Sequence, residues 1–255
     1  MLAIVTGASS GLGKDFCYLL SKNGYDLIIA SRSVDKLNEI KADIESKYPS
    51  KVEVIQSDLS KDVGSLIQAT NSKKVDLLIN NAGFGDFCEF TLADYNKLDQ
   101  MVDLNCKALM KLSHHYASIM KEQGNGRILN VASVASFQPG PYMAVYYASK
   151  AFVLSLSESL DYELKPFGVR VSALCPGPTK TDFFKNAGSD AKKMLNVTKP
   201  LESKEVVEYA YKKMMKNKRV IIPGFKFRLL LFFEKLIPRS LTLNILGKIQ
   251  SKRKN

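Results

Sequence analysis

The chain has 255 residues, 45% of them hydrophobic and 24% charged, with a formal net charge of +12. That is ample apolar material for a core, in one large α/β domain or two small ones. No basic leader precedes the first strand-like run and no stretch approaches the roughly 18 clean apolar residues of a membrane span, so neither a signal peptide nor a transmembrane helix is expected.

The opening run, LAIVTG, is apolar and β-branched, the pattern of a buried strand. It leads into TGASSGLGK, where Gly7, Gly11 and Gly13 follow the spacing TGxxxGxG. Glycine permits the tight turn and lets backbone around Ser9, Ser10 and Leu12 approach a phosphate. A helix predicted over 11–23 aims its positive end at the same place, so strand, loop and helix together predict a dinucleotide site. The second strand, DLIIAS, ends where NAD-preferring folds carry an acid for the ribose 2′-hydroxyl. Arg32 and Ser33 stand there instead; an arginine pairs with a 2′-phosphate, which points to NADP(H). A helix over 34–47 leads to KVEVIQSD, whose Asp58, followed by Leu59, is placed to accept from an adenine amino group. A turn role for Asp58 and a helix N-cap role for Ser60 are the competing readings.

After a helix over 61–72, the run VDLLINNAG closes on Asn81, Ala82 and Gly83, small residues against which a cofactor can lie. A long helix is predicted over 93–123, then the strand GRILNVAS ending at Ser133, then a helix over 146–165 that opens with YYASKAF. Lys150 lies one turn from Tyr146 on the same face, whereas Tyr147 has Ala151 in the corresponding place. A tyrosine is a poor base at neutral pH; a neighbouring cation favours the phenolate, so the pair can serve as acid in reduction or base in oxidation. The strand VRVSALCPG runs into a loop over 177–200, beyond a strand's carboxyl end and therefore the natural substrate lid. A helix over 203–217 and the strand RVIIPG complete the alternation. Strand and helix repeated in this way predict an α/β doubly wound Rossmann-type fold, a parallel sheet of about seven strands with helices on both faces.

Taken in order, TGxxxGxG at 6–13, NNAG at 80–83, Ser133 in NVAS, YxxxK at Tyr146 and Lys150, and PGPTKT at 176–181 resemble the short-chain dehydrogenase/reductase family over residues 1–222. The resemblance implies one domain over 1–222 and a nicotinamide-dependent carbonyl reductase or alcohol dehydrogenase. Ser133 lies thirteen residues before Tyr146, the family's spacing, which selects it over Ser136. Asn105 in DLNCKAL matches the family's fourth catalytic residue, which would hold a water relaying protons to Lys150. Ser133 would donate to the substrate oxygen, Tyr146 would exchange its proton, and Lys150 would also hold the nicotinamide ribose. Backbone after Pro176 and Gly177 would hold the carboxamide, with Thr179 or Thr181 reaching the amide and pyrophosphate. Ser10 stands where some NADP enzymes of the family carry a basic residue, which leaves Arg32 carrying the phosphate argument. A homodimer or homotetramer built through helices near 97–123 and 146–165 is likewise implied. The alternative from another class is a non-catalytic NADP-binding regulatory or scaffold protein on the same fold, which loses favour because all four catalytic positions are filled.

No carboxylate or arginine is evident to anchor a charged substrate. Val134, Phe137, Pro139, Tyr142 and Met143 are candidates for one pocket wall, Phe183, Phe184, Met194 and Leu195 for the lid, with Phe87 and Phe90 nearby. An apolar or amphiphilic ketone, aldehyde or secondary alcohol fits such a lining, though each residue could equally be core or interface. The four cysteines, Cys17, Cys88, Cys106 and Cys175, are far apart and read as buried thiols of a cytoplasmic protein; no metal site is expected. Eight basic residues against Glu234 place +7 of the +12 in residues 224–255, so the charge marks the tail rather than a nucleic-acid-binding domain. In that tail, residues 223–255, Phe225, Leu229, Phe232, Phe233, Leu236 and Ile237 fall on one helical face. The tail therefore has three readings: a helix peripheral to anionic lipid, a pocket cap, or a subunit interface.

Overall fold

The structure is a computed structural model that describes residues 1–71, 73–183, 200–234 and 236–251. In chain order its elements are β1 (Leu2–Thr6), α1 (Gly11–Lys22), β2 (Asp26–Ser31), α2 (Val34–Lys47), β3 (Val52–Gln56), α3 (Gly64–Thr70), β4 (Leu77–Asn80), α4 (Tyr95–Val102), α5 (Leu109–Gln123), β5 (Gly126–Val131), α6 (Ala144–Leu164), β6 (Val169–Leu174), α7 (Ser203–Met215), β7 (Val220–Ile221), α8 (Phe225–Glu234) and α9 (Arg239–Ser251).

Alternation along the strands builds two cores. Ala3 and Val5 of β1 pack on one side with Phe16, Leu20, Leu37, Ile44 and Met214 of α1, α2 and α7. Ile4 packs on the other with Leu66, Leu112, Tyr116 and Met120 of α3 and α5. Such strands are apolar on both faces, the signature of a covered parallel sheet. The sheet has seven strands, all parallel, in the order β3-β2-β1-β4-β5-β6-β7, with Ile4 in register with both Ile28 and Leu78. Chain direction across the sheet reverses between β1 and β4, and ligands of doubly wound folds sit beyond the carboxyl ends of the strands at such a point.

Several boundaries differ from the sequence-based expectation, each for a local reason. The helix expected over 61–72 begins only at Gly64, because the Asp62 carboxylate accepts the Gly64 and Ser65 N–H groups at 2.8 and 3.3 Å and holds the preceding residues as a turn. The helix expected over 93–123 is interrupted by a π-helical segment, Asp103–Ala108, which contains Asn105; such wide turns occur frequently at functional sites. The tail face expected from Phe225 to Ile237 is divided, since α8 ends at Glu234 and Pro238 precedes α9. Cys17 and Cys175 are buried as expected, whereas Cys88 and Cys106 are only half-buried; all four are free thiols.

One buried charge cluster ties α6 to the far strands. Asp161, fully buried, accepts from Arg170 at 2.8 and 3.1 Å, from Arg219 at 3.0 Å and from the Val171 N–H at 3.1 Å. Burial alone would raise its pKa, but these hydrogen bonds outweigh it and the carboxyl stays below its ordinary range.

Candidate active site

The glycine loop is stapled to β4 across the switch point. Thr6 Oγ1 accepts the N–H groups of Asn81 and Ala82 at 3.0 and 3.1 Å. In return Asn81 Nδ2 donates to the carbonyls of Thr6 and Gly7 at 3.0 and 3.1 Å. Gly13 lies beneath this clasp: a Cβ there would stand 2.3 Å from the Gly7 oxygen and 2.5 Å from Asn81 Nδ2. The Asn81 side chain is thus committed to holding the loop. Helix α1 starts at Gly11 with no acid in its first turn and no side-chain cap from Ser10. Its orphan N–H groups and positive end, beside Ser9 and Leu12, form a cradle that fits a pyrophosphate.

Arg32 and Ser33 are exposed beyond the end of β2, and Arg32 lies near enough to Asp58 to help hold that carboxyl down. Burial pushes the Asp58 pKa up, but hydrogen bonds from Ser60 and the charges of Arg32 and Lys61 prevail and lower it. Asp58 Oδ1 accepts the Ser60 hydroxyl at 2.7 Å and its N–H at 3.2 Å, so this residue does form the turn of the first competing reading. The Leu59 side chain is buried in the core, which leaves only its backbone for a ligand.

The four expected catalytic residues converge. Ser133 follows β5 in extended conformation; its Oγ accepts the Ala135 N–H at 3.1 Å, and its hydroxyl is hydrogen-bonded to the Tyr146 phenol. Ser136 is differently engaged: its hydroxyl accepts the Ser133 N–H at 3.3 Å and donates to the Lys150 carbonyl at 2.8 Å, fastening the serine loop to α6. Tyr146 and Lys150 are both buried, with Lys150 Nζ 5.8 Å from the centroid of the Tyr146 ring and donating to the Val131 carbonyl at 2.8 Å. Burial raises the phenol's pKa, partly offset by the Ser133 hydrogen bond. The same burial lowers the Lys150 ammonium to about 8. Desolvation penalises whichever form is charged, so it acts oppositely on the two groups.

Asn105 is fully buried. Its Oδ1 accepts the Phe84 N–H at 3.1 Å, while Nδ2 donates to the Phe84 carbonyl at 2.9 Å and to Ser149 Oγ at 3.1 Å. Ser149 in turn donates to the Tyr146 carbonyl at 2.7 Å, so one chain of bonds links the NNAG loop, the π turn and α6. Gly83 is where they meet: a Cβ there would lie 2.9 Å from Asn105 Oδ1 and 3.4 Å from Lys150 Nζ.

Of the PGPTKT residues, the Pro176 carbonyl accepts the Val134 N–H at 3.1 Å and the buried Thr179 hydroxyl donates to the Gly177 carbonyl at 2.9 Å. Thr181 instead lies at the glycine loop, 3.1 Å from where a Gly11 Cβ would stand. It is therefore the side chain placed beside the pyrophosphate cradle, whereas Thr179 is occupied in shaping its own turn.

Met143 and Tyr146 share an apolar cluster with Phe87 and Phe183, and the Phe183 ring lies 5.4 Å from that of Tyr146. Tyr142 stacks on Phe87 at 6.0 Å and takes a left-handed φ of 62°, a strained conformation for a tyrosine. Phe137 packs with the core under α6 rather than in this cluster, and Phe90 is exposed. Phe184, Met194 and Leu195 lie outside the described residues. Five contributors were not singled out from sequence: Thr6, Gly85, Ser136, Ser149 and Phe84. A Cβ on Gly85 would stand 3.1 Å from the Tyr146 ring, and that closeness, like the hydroxyl networks, depends on segments distant in sequence.

Fold and site together define a doubly wound α/β protein with a glycine-loop cradle at its switch point and a buried Ser-Tyr-Lys-Asn cluster beside it. The family model for short chain dehydrogenase matches residues 1–192, and the chain belongs to that family. A very-long-chain 3-oxoacyl-CoA reductase of Phaeosphaeria nodorum is 34% identical over 180 residues, 68% of this chain and 53% of the relative. The chain thus spans about half the length of such curated relatives. An uncharacterized oxidoreductase of Staphylococcus saprophyticus is 30% identical over 213 residues, 82% of this chain and 90% of the relative. The solved short-chain dehydrogenase of Sphingobium yanoikuyae, in complex with NADPH, superposes with a TM-score of 0.83 at 31% identity over 88% of each chain.

Proposed function

We propose that the chain is an NADP(H)-dependent carbonyl reductase or alcohol dehydrogenase acting on an apolar or amphiphilic ketone, aldehyde or secondary alcohol. The observation that carries this reading is the convergence of Ser133, Tyr146, Lys150 and Asn105, with Lys150 and Asn105 both against Gly83. The glycine loop, Ala82 and Gly83, and Thr181 would hold the dinucleotide; Arg32 would take its 2′-phosphate, and Lys150 the nicotinamide ribose. NADPH in the Sphingobium enzyme's complex supports that choice. When bound, the nicotinamide supplies hydride to the carbonyl carbon.

The chain's own residues manage the oxygen. Ser133 Oγ has one lone pair engaged by Ala135, and its hydrogen, directed toward the Tyr146 phenol, would pass to the substrate oxygen as charge develops there. Tyr146 then gives that oxygen its proton. Burial favours the neutral phenol, the form that reduction needs. Lys150 stabilises the phenolate left behind, and Asn105 with Lys150 orders the water that restores the proton. Oxidation uses the same groups in reverse. Phe183, Met143 and Phe87 offer apolar surface beside the phenol, which suits a substrate with a hydrocarbon arm. The name of the Phaeosphaeria relative, very-long-chain 3-oxoacyl-CoA reductase, agrees with that preference. Met110, Phe152 and Tyr162, exposed on α5 and α6, supply apolar surface for a homodimer or homotetramer.

The test is an NADPH-consumption screen over ketones, aldehydes and acyl thioester ketones, with Tyr146→Phe as control. Turnover of a substrate that vanishes in the variant is expected. A variant that reduces the same substrate at the normal rate overturns the mechanism.

A further inference from the structure

The tail leaves β7 through Gly224 and returns across the serine loop as α8 and α9. Its inner side is pinned. The Phe227 ring lies against Gly177, where a Cβ would be 2.4 Å away. The Gln138 amide is placed to donate to both Glu234 carboxylate oxygens, at 2.6 and 2.9 Å. The buried Gln250 donates to the Tyr147 hydroxyl at 3.1 Å. The tail is thus a strap attached beside the carboxyl ends of β5 and β6, the side of the sheet that carries the candidate active site.

Among the described residues its outer side is uncovered. Phe225, Leu230, Phe232, Phe233, Leu236 and Leu241 are each between 50% and 72% exposed, and Leu231 is the buried residue of α8. Soluble surfaces rarely leave so many large apolar side chains of one short segment in water without a partner. Charge identifies the partner. Residues 224–255 hold eight basic residues and one acid, Glu234, and that acid is turned inward to Gln138. Two-fold pairing with a second copy would bring two such basic straps together, and the remainder of the chain, at +5 of the +12, offers no compensating negative excess. An anionic surface with an apolar interior satisfies both features. Helices of 10 and 13 residues are about 15 and 20 Å long, too short to span a hydrocarbon core of about 30 Å, so they would lie along the surface.

We propose that the α8–α9 strap docks on an anionic lipid bilayer, its apolar outer side sunk to headgroup depth and its basic residues paired with lipid phosphates and carboxylates. The full chain should co-sediment with vesicles of phosphatidylcholine mixed with phosphatidylserine, and weakly with phosphatidylcholine alone. Leu230→Glu with Phe232→Glu should lower the partition coefficient about tenfold or more. Lys226→Glu with Arg239→Glu, on the exposed rim, should lower it similarly on the anionic vesicles. Circular dichroism verifies the fold of each variant, and the rim variant decides the matter if the apolar one loses helix. Three results would each overturn the proposal: no pelleting of the full chain on the anionic vesicles, equal pelleting by the folded variants, or a self-associated form that Leu230→Glu with Phe232→Glu abolishes while vesicles capture none of the wild type.

Discussion

Lys150→Met isolates the electrostatic support given to Tyr146. Lys150 Nζ lies 5.8 Å from the centre of the Tyr146 ring. At an effective dielectric of about 20, unit charges at that separation interact by about 3 kcal/mol, or roughly two pKa units on the phenol. Methionine keeps the apolar stem and the burial but removes the charge. In alcohol oxidation, where the phenolate is the working form, kcat/KM should fall about 100-fold and the acid limb of its pH profile should move up by roughly two units. Burial holds the ammonium's own pKa to about 8, so the wild-type enzyme has this support below that pH and loses it above, while the variant lacks it throughout. The assay is the appearance of reduced nicotinamide at saturating cofactor across the pH range, which separates proton transfer from any loss of ribose binding. A variant profile parallel to the wild type, merely lowered by a constant factor, would refute the electrostatic role and leave Lys150 as a cofactor ligand only.

Gly13→Ala should cost about 1–3 kcal/mol in urea unfolding and weaken dinucleotide binding, because the new methyl meets the Gly7 carbonyl and the Asn81 amide; an unchanged midpoint would mean the clasp yields without strain. Asp161→Asn leaves Arg170 and Arg219 without their counter-ion, and since Arg219 is 44% exposed the loss should be roughly 2–4 kcal/mol, below that of a fully enclosed pair. The Asp161 carboxyl is depressed in the folded state, so its contribution is complete above an unfolded pKa of about 3.9 and disappears as pH falls through the folded value. The wild-type advantage over Asp161→Asn should therefore shrink on acidification, and a gap that stays constant from neutral to strongly acid pH would contradict the ion cluster. Arg32→Glu should raise KM for NADPH roughly tenfold or more while sparing NADH, the loss of one charged hydrogen-bonding partner; equal effects on both cofactors would remove Arg32 from the phosphate site.

Elements whose signal is local were legible in the sequence. The strands could be read from their short apolar, β-branched runs, most of them buried on both sides, and the glycine loop because it stands between a strand and a helix. Tyr146 was separable from Tyr147 by helical spacing alone, since one turn places Lys150 on only one of their faces. Residues whose work depends on partners far along the chain were less accessible. Asn81 resembles a cofactor contact in NNAG, yet its amide fastens the glycine loop 74 and 75 residues earlier in the chain. Thr179 and Thr181 look equivalent on paper, and only packing against Gly11 distinguishes them.

The sequence by itself determined the layered fold and pointed to the cofactor crevice and the proton donor proposed above, because strand burial, turn chemistry and helical periodicity act over a few residues. Tertiary structure alone decided which hydroxyls are spent and which are free, and how burial sets the phenol and ammonium against each other. It also decided that the tail keeps its acid and Phe227 inward and Phe225, Phe232 and Phe233 outward. Hydrogen-bond partners and desolvation are properties of the assembled neighbourhood, where residues from five strands' distance apart in the chain become adjacent.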